Sequence, residues 1–440
     1  MNIKSLPIQA WLQKNSIINV SGTMTGLGAS KVPQEITQCV AESMGRFVEM
    51  DALQAEASRI IAHATGSEAG CVTASVASGI CISLAATMTG TDLGLAEDLP
   101  DTSRVSKNEV LMLKGHVVNY GSIITQQIRL IGATPVEVGT STAADPYQLR
   151  HAITEKTCAA FWVVSHHTVQ SGLLGLQTFI EICHGKGVPI IVDAASEYDL
   201  KIFINMGADV VLYSGHKFLS GPTAGIVAGK KTLIKAAYMH QSSGIGRAMK
   251  AGKESVVGAI AGLQRWQNLD HRKIHEEEYK RLTYIRKGLE QIRGLCVEEH
   301  ADPTGNPITR LKVSIDPSVS GLNIEELAKA LHRGYPQIVV RDHFLELGLF
   351  EIDPCNMKSG DPERVVSRFQ ELQNLLVDCP PKSGEVNSLG PRNSSYDADG
   401  IPVVNPDCVP WAYRRSEDRE DQLKSWPERY FNNEKEESHG

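Results

Sequence analysis

The sequence predicts an α/β fold, with a large domain built on a mainly parallel sheet and a smaller α+β domain towards the C-terminus. Between about Asp51 and Ala228, short apolar runs (CVTASVA, EVLMLKG, TPVEVG, AAFWVVS, VPIIVDAA, ADVVLYSG and AGIVAG) alternate with helical patterns. Runs such as VPIIVD are apolar on both faces, as strands are when helices cover both sides of a parallel sheet. Beyond Gly252 the alternation stops and a long charged helical pattern begins.

Taken in order, residues 1–50 are expected to form an N-terminal arm and 51–255 the large domain. Within the latter, LQTFIEICHGKG has helical spacing and Gly187 offers a stop before VPIIVD. The stretch from Glu254, ESVVGAIAGLQRWQNLDHRKIHEEEYKRLTYIRKGLEQI, has apolar residues at three- and four-residue spacing and reads as one connector helix. With it, 256–379 is expected to form the small domain: strands in VEEHADPTGNPITRLKVSID and PQIVVRDHFLELGLFEID, a helix in NIEELAKALHRG, and a closing helix in DPERVVSRFQELQNLLVD. Residues 380–440 are rich in Pro, Gly, Ser and Asn and read as an extended tail, whose Trp411, Tyr413, Trp426 and Tyr430 suit packing on a surface.

A chain of 440 residues with 42% hydrophobic and 22% charged side chains has the make-up of a globular protein, not of a fibrous or disordered one. At about 150 residues per domain it has room for two to three domains. The net charge of −7 gives no global field for nucleic acid or an anionic membrane, so a nucleic-acid partner would need a local basic patch. Nine cysteines, scattered and without a C-x-x-C pair, read as reduced thiols in a cytosol. No apolar run has the length of a signal sequence or membrane span, so cytoplasmic residence is expected. H-E-x-x-H is missing and the adjacent His166 and His167 are poorly placed to share one ion, so no metal is expected.

Chemistry concentrates in VPIIVDAASEYDL and MGADVVLYSGHKFLSGPTAG. Asp193 ends one apolar run, where a buried carboxylate is costly unless it meets a cation. A protonated pyridine nitrogen is such a cation, and pyridoxal phosphate supplies one. Lys217 follows the next apolar run in a Ser/Gly/His turn, a setting in which an ε-amine can form a Schiff base. Either signal alone is also met in ordinary turns; one cofactor explains both. In HATGSEAGCVTASVASGI, Thr73, Ser75, Ser78 and Gly79 open a small-residue helix pattern whose first amides suit a phosphate, although small residues also simply permit close packing.

INVSGTMTGLG, RFVEMDALQ, TGSEAGCVTASVASGI, VEVGT, VPIIVDAASE, SGHKFLSGPTAGIVAG and GIGRAMKAGKE occur in an order that resembles the fold-type-I, pyridoxal-phosphate-dependent enzymes of the bacterial selenocysteine synthase family, including D-glucosaminate-6-phosphate ammonia-lyases. The resemblance covers roughly residues 17 to 370. It implies that Lys217 carries the cofactor, that Asp193 partners its ring nitrogen, and that Ser75, Val76 and Ala77, with Ser78, form the phosphate cup. It implies further that His116 stacks on the ring, with a surface loop histidine as the alternative, and that Ser214 and His216 flank the lysine. Gly246, Arg247, Lys250 and Lys253 then lie in a loop that reaches a neighbouring subunit's phosphate. Arg341 is the candidate clamp for a substrate carboxylate. His166, His167, Thr168 and Gln170, following AAFWVVS, sit where open α/β sheets place ligands and are candidate substrate contacts. Two departures stand out: His216 replaces the Gly or Asp frequent before the lysine, and Cys355 interrupts an Asp-Pro-Arg pattern at Asp353–Cys355.

The function expected on these grounds is a lyase that removes water and then ammonia from a β-hydroxy amino acid or amino-sugar acid, leaving a 2-keto acid. A homodimer or larger homo-oligomer is expected with it. The alternatives weighed are an amino-acid racemase, a selenium transferase acting on seryl-tRNA, which the acidic charge balance disfavours, and a non-catalytic scaffold, which the presence of both Asp193 and Lys217 disfavours.

Overall fold

A computed structural model describes residues 7–320 and 323–378, together with residue 424; the expected tail from 380, apart from Lys424, lies outside the described residues. A strand not expected from the sequence comes first, β1 (Ile17–Val20). The apolar runs of the large domain then form β2 (Ala69–Thr73), β3 (Glu109–Leu113), β4 (Thr134–Val138), β5 (Thr157–Val163), β6 (Ile190–Asp193), β7 (Val210–Ser214) and β8 (Gly225–Gly229). They make one sheet of seven strands in the order β2-β8-β7-β6-β5-β3-β4, in which β8 alone runs antiparallel to its neighbours. The sheet is thus mainly parallel, as expected of a fold-type-I enzyme.

Alternate residues of these strands feed two hydrophobic cores. Ile190, Val192, Val211 and Tyr213 face one, while Ile191, Val210, Leu212 and Val227 face the other. Each such aliphatic side chain, fully buried, contributes about 1.5–3 kcal/mol. The second core holds the helix Val76–Thr89, through Ile80, Cys81, Ile82 and Leu84. This two-residue alternation puts Asp193 on the face of Ile191, the side on which that helix lies.

The chain divides into two compact units at positions other than those expected. One unit comprises residues 30–270 and 302–306; the other comprises the described residues up to 29, 271–301 and those from 307 onward. The expected arm is split because β1 pairs in parallel with β11 (Gln337–Val340), whereas Glu35, on the helix Gln34–Met44, is bridged by Arg265 at 2.6 Å. Residues 253–267 stay with the large unit because Val256, Ala259, Leu263 and Trp266 join its core.

The expected single connector helix is two, Lys253–Gln267 and His271–Leu289. Asn268 breaks it: its side-chain amide turns back to the Gln264 carbonyl at 2.8 Å and competes with the helical ladder. In the second unit β9 (Leu295–Ala301), β10 (Thr309–Ile315) and β12 (Leu349–Ile352) form an antiparallel sheet. Leu311, Val313, Ile338, Val340, Phe350 and Ile352 pack there with side chains of the helices Ile324–Arg333 and Asp361–Asp378. No helix among the described residues is long and apolar enough to cross a membrane, and the seven described cysteines are all free.

Candidate active site

Because β6 and β7 are parallel neighbours, their carboxyl ends bring two chain segments together: Asp193 pairs with Leu212, and the Ser214 amide donates to the Ala195 carbonyl at 3.3 Å. Asp193 is buried, and among the described residues its carboxylate accepts one hydrogen bond, from the Ala195 amide at 3.1 Å. Burial pushes its carboxyl up to about 6, against the opposing pull of Lys217 and the Ala195 amide. A carboxylate so placed is underpaired and suits a cation.

Lys217 lies in the turn between β7 and β8, and its Nζ donates to Ser196 Oγ. The turn is tightly specified. The Gly221 amide donates to the Gly215 carbonyl at 2.8 Å, and a Cβ at Gly221 would stand 2.9 Å from that same oxygen. Ser220 takes a left-handed conformation (φ +53°) and its amide donates to the Lys217 carbonyl at 3.0 Å. Strained backbone of this kind persists where its surroundings over-determine it, as at functional sites. Ser214 Oγ meets His216 Nδ1 at 3.1 Å, and the Ser30 hydroxyl holds the His216 carbonyl at 2.7 Å. Burial, aided by Lys217, lowers the His216 imidazole to about 4, so the ring is neutral at pH 7.

The helix Val76–Thr89 begins with a capping box: Ser75 Oγ accepts from the Ser78 amide at 3.2 Å, and Ser78 Oγ accepts from the Ser75 amide at 2.8 Å. Of the amides that a helix N-terminus leaves over, those of Val76 and Ala77 remain for a ligand. β8 passes directly beneath: a Cβ at Gly225 would lie 2.3 Å from the Ser75 carbonyl oxygen, so only glycine fits. The 3-10 turn Ile245–Met249 is tied to the approach to this helix, the Ala74 amide donating to the Met249 carbonyl at 3.4 Å. Gly246 is buried there, Arg247 and Lys250 are exposed, and Lys253 Nζ is held by the carbonyls of Met44 and Arg46.

His116 follows β3 and is buried, not a surface loop residue. Its Nδ1 accepts the Val163 amide at 3.3 Å, and its ring meets Trp162 edge-on at 4.4 Å. Burial lowers it to about 4. With Nδ1 accepting, the neutral ring carries its proton on Nε2. The loop after β5 touches the same segment, the Val169 amide donating to the Gly115 carbonyl at 3.1 Å. Thr168 is buried and donates to the Ser165 carbonyl at 2.7 Å, while the rings of His166 and His167 lie 3.8 Å apart.

Arg341 belongs to the other unit. It is buried just past β11, and its Nε is engaged by Glu351 at 3.1 Å. A second buried pair, Arg310 Nε to Asp353 Oδ2 at 2.7 Å, occupies the stretch that Cys355 interrupts, and the Cys355 amide donates to Asp353 Oδ1 at 3.0 Å. The sequence reading missed Arg310. It also missed Ser196 and Glu197, and the insertion of residues 302–306, whose Asn306 side chain holds the Ser196 carbonyl at 3.2 Å and the Tyr198 amide at 2.8 Å. The run DAASE carried a signal, a carboxylate four residues beyond Asp193, but nothing local pointed to 302–306.

Residues 17–294 match the family model described as L-seryl-tRNA selenium transferase, SelA. The chain is 38% identical over 362 residues to the D-glucosaminate-6-phosphate ammonia lyase of Salmonella typhimurium, covering 82% of this chain and 96% of that protein. It is 34% identical over 358 residues to a 5'-C-glycyluridine monooxygenase-decarboxylase of Streptomyces sp, covering 81% and 89%. A solved D-glucosaminate-6-phosphate ammonia-lyase superposes with a TM-score of 0.77 at 36% identity, covering 86% of this chain and all of that one.

Proposed function

The chain belongs to the L-seryl-tRNA selenium transferase family of fold-type-I enzymes, and from that membership we propose that it is a pyridoxal-phosphate-dependent ammonia-lyase acting on a β-hydroxy amino acid or amino-sugar acid. The observation that supports this most is its likeness, along nearly the whole of that protein, to a D-glucosaminate-6-phosphate ammonia lyase.

The residues present fit the cofactor. A buried carboxylate that accepts one amide among the described residues (Asp193), an amine on the adjoining turn (Lys217) and two amides left over by a capping box (Val76, Ala77) suit its ring nitrogen, aldehyde and phosphate. Ser75 and Ser78 fix the cup, Gly246 admits the turn beside it, Ser214 and His216 shape the lysine turn, and His116 offers a neutral ring. When bound, pyridoxal phosphate supplies an electron sink that eases breaking of a Cα–H bond.

Lys217 Nζ is the base that takes the Cα proton, and Ser196 orients it. Asp193 stays ionised so that its negative charge meets a positive one. The Cβ–O bond breaks, the departing hydroxide takes up a proton and leaves as water, and Cβ gains a proton. Water then replaces ammonia at Cα, so the net change converts the amino acid into a 2-keto acid and ammonia. In this reading His166, His167 and Thr168 serve the substrate, and the protein is a cytoplasmic homo-oligomer. Met44, Phe47 and Val48 stand exposed on the large unit, an apolar patch that a second copy would cover.

The test is release of 2-keto acid and ammonia in equal amounts from a panel of D- and L-β-hydroxy amino acids and amino-sugar acids, with wild type beside Lys217→Ala. No product from any member argues against the lyase. Chiral chromatography detects a racemase in the same samples, a salt-sensitive gel shift detects a tRNA ligand, and oxygen uptake detects chemistry like that of the 34% relative.

A further inference from the structure

Ser30 is the first residue of the large unit, and the chemistry above does not use it. Its hydroxyl donates to the His216 carbonyl at 2.7 Å, across 186 positions of sequence. That carbonyl belongs to the peptide plane whose nitrogen is the Lys217 amide. The plane on the other side of the Lys217 Cα is held as well, since the Lys217 carbonyl accepts the Ser220 amide at 3.0 Å. Two pinned planes set φ and ψ at Lys217, and so the direction in which its long side chain leaves the backbone. The turn supplies the second of these bonds itself, but the first comes from outside it. The His216 ring is engaged elsewhere, with Ser214 Oγ.

Ser30 is held in its turn. Ala29 before it is buried and left-handed (φ +61°), a conformation that L side chains rarely adopt. Its amide donates to the Met24 carbonyl at 2.9 Å, and its carbonyl accepts the Asn356 side-chain amide at 2.8 Å. The same side-chain amide also reaches the Gly22 carbonyl at 2.9 Å. Because the Ala29 carbonyl shares a peptide plane with the Ser30 nitrogen, the backbone that presents the hydroxyl is itself fixed. Beyond the lysine, the turn has no slack against the helix Lys253–Gln267: a Cβ at Gly262 would stand 2.9 Å from the Leu219 carbonyl oxygen, and one at Gly221 would stand 3.0 Å from that of Gly258.

We infer that Ser30 is a positioning residue for Lys217: its hydroxyl fixes the peptide that carries the lysine, so that the amine is presented to Ser196 and to the cofactor. This deepens the lyase reading and rests on it for its purpose, but not for its test. The first measurement uses the full chain without cofactor. His216–Lys217 is the one His–Lys pair in the sequence, so carbonyl-13C histidine combined with 15N-lysine gives one NMR cross-peak, from the peptide in question. Its carbonyl carbon should resonate where hydrogen-bonded carbonyls do in wild type and in Ser30→Thr, and move upfield in Ser30→Ala. Hydrogen exchange in residues 215–221, which hold the bonded Ser220 and Gly221 amides, should speed up about tenfold in Ser30→Ala while that of β6 stays unchanged, and should return to the wild-type rate in Ser30→Thr.

The second measurement adds pyridoxal phosphate and, after short exposures, borohydride, which traps every amine that has joined the aldehyde carbon with loss of water. Trapping on Lys217, read by peptide mass spectrometry, should slow about tenfold in Ser30→Ala and recover in Ser30→Thr, while trapping on the exposed Lys231 stays constant. A wild-type His216 carbonyl carbon at the position of an unbonded one overturns the inference even if no variant folds. So does a folded Ser30→Ala protein with wild-type trapping on Lys217, or one whose exchange rises equally in β6, the mark of a general loss of stability. Absence of keto acid in the earlier assay, with these results intact, overturns the lyase reading instead.

Discussion

Replacing Asp193 with Asn separates the cost of the buried carboxylate from its use. The side chain keeps its shape, and its Oδ1 can still accept the Ala195 amide at 3.1 Å. In the cofactor-free chain, burial holds the Asp193 carboxyl at about 6, against an ordinary value of 3.8. A group raised on folding gives stability that is fully present below 3.8 and lost as pH rises through 6. The shift of about two units corresponds to about 3 kcal/mol at pH 8, and about half of that has been lost by pH 5. Cofactor-free Asp193→Asn should therefore be more stable than wild type by about 3 kcal/mol at pH 8 and by about half as much at pH 5. Added pyridoxal phosphate should reverse the order at pH 8, because a ligand stabilises in proportion to its affinity and the wild type binds it more tightly. Urea unfolding followed by circular dichroism, with and without cofactor at the two pH values, reads all four differences. An Asn variant that is the less stable protein at pH 8 without cofactor, or a gap that ignores pH, would refute the reasoning.

Other expectations follow from the same geometry. His116 is lowered to about 4 from 6.5, so the stability it lends is present above 6.5 and is lost as pH falls towards 4; His116→Phe should flatten that part of the stability profile in thermal melts between pH 7 and 4.5. Gly225→Ala puts a methyl 2.3 Å from the Ser75 carbonyl oxygen, and should cost at least about 1–3 kcal/mol and weaken cofactor binding together, read by melting and fluorescence titration. Asp353→Ala strands the buried Arg310 and should destabilise the chain by about 3–5 kcal/mol, whereas removing both partners should cost less; a double-mutant cycle in urea checks the difference.

Six of the seven strands of the large sheet are buried on both faces and so spell nearly continuous apolar runs, whereas β4 (TPVEV), at the edge of the sheet, is partly exposed and stood out only as a short run between helical patterns. β1 was not legible: only IINV marks it, and its partner β11 is more than 300 residues away. The connector was misread as one helix because apolar spacing continues through the break that the Asn268 side chain makes. Asp193 and Lys217 stood out in the sequence because strand ends put unusual side chains at fixed offsets from apolar runs, and the strands that carry or precede them are neighbours in the sheet. Glu197 could be seen in the sequence but not interpreted, since its environment comes from Asp302 and Thr304. Arg310 and Asp353 lie on different strands or their flanks, and no local pattern announces that they pair.

The central claim is that Lys217 holds pyridoxal phosphate, with Asp193 facing its ring. Borohydride reduction of the cofactor-loaded protein fixes the cofactor to whichever amine holds it, and peptide mass spectrometry then locates it. A single phosphopyridoxyl group on Lys217, with much lower occupancy in Asp193→Asn, is the result expected. A group spread over surface lysines, or one whose occupancy is the same in Asp193→Asn, would contradict it.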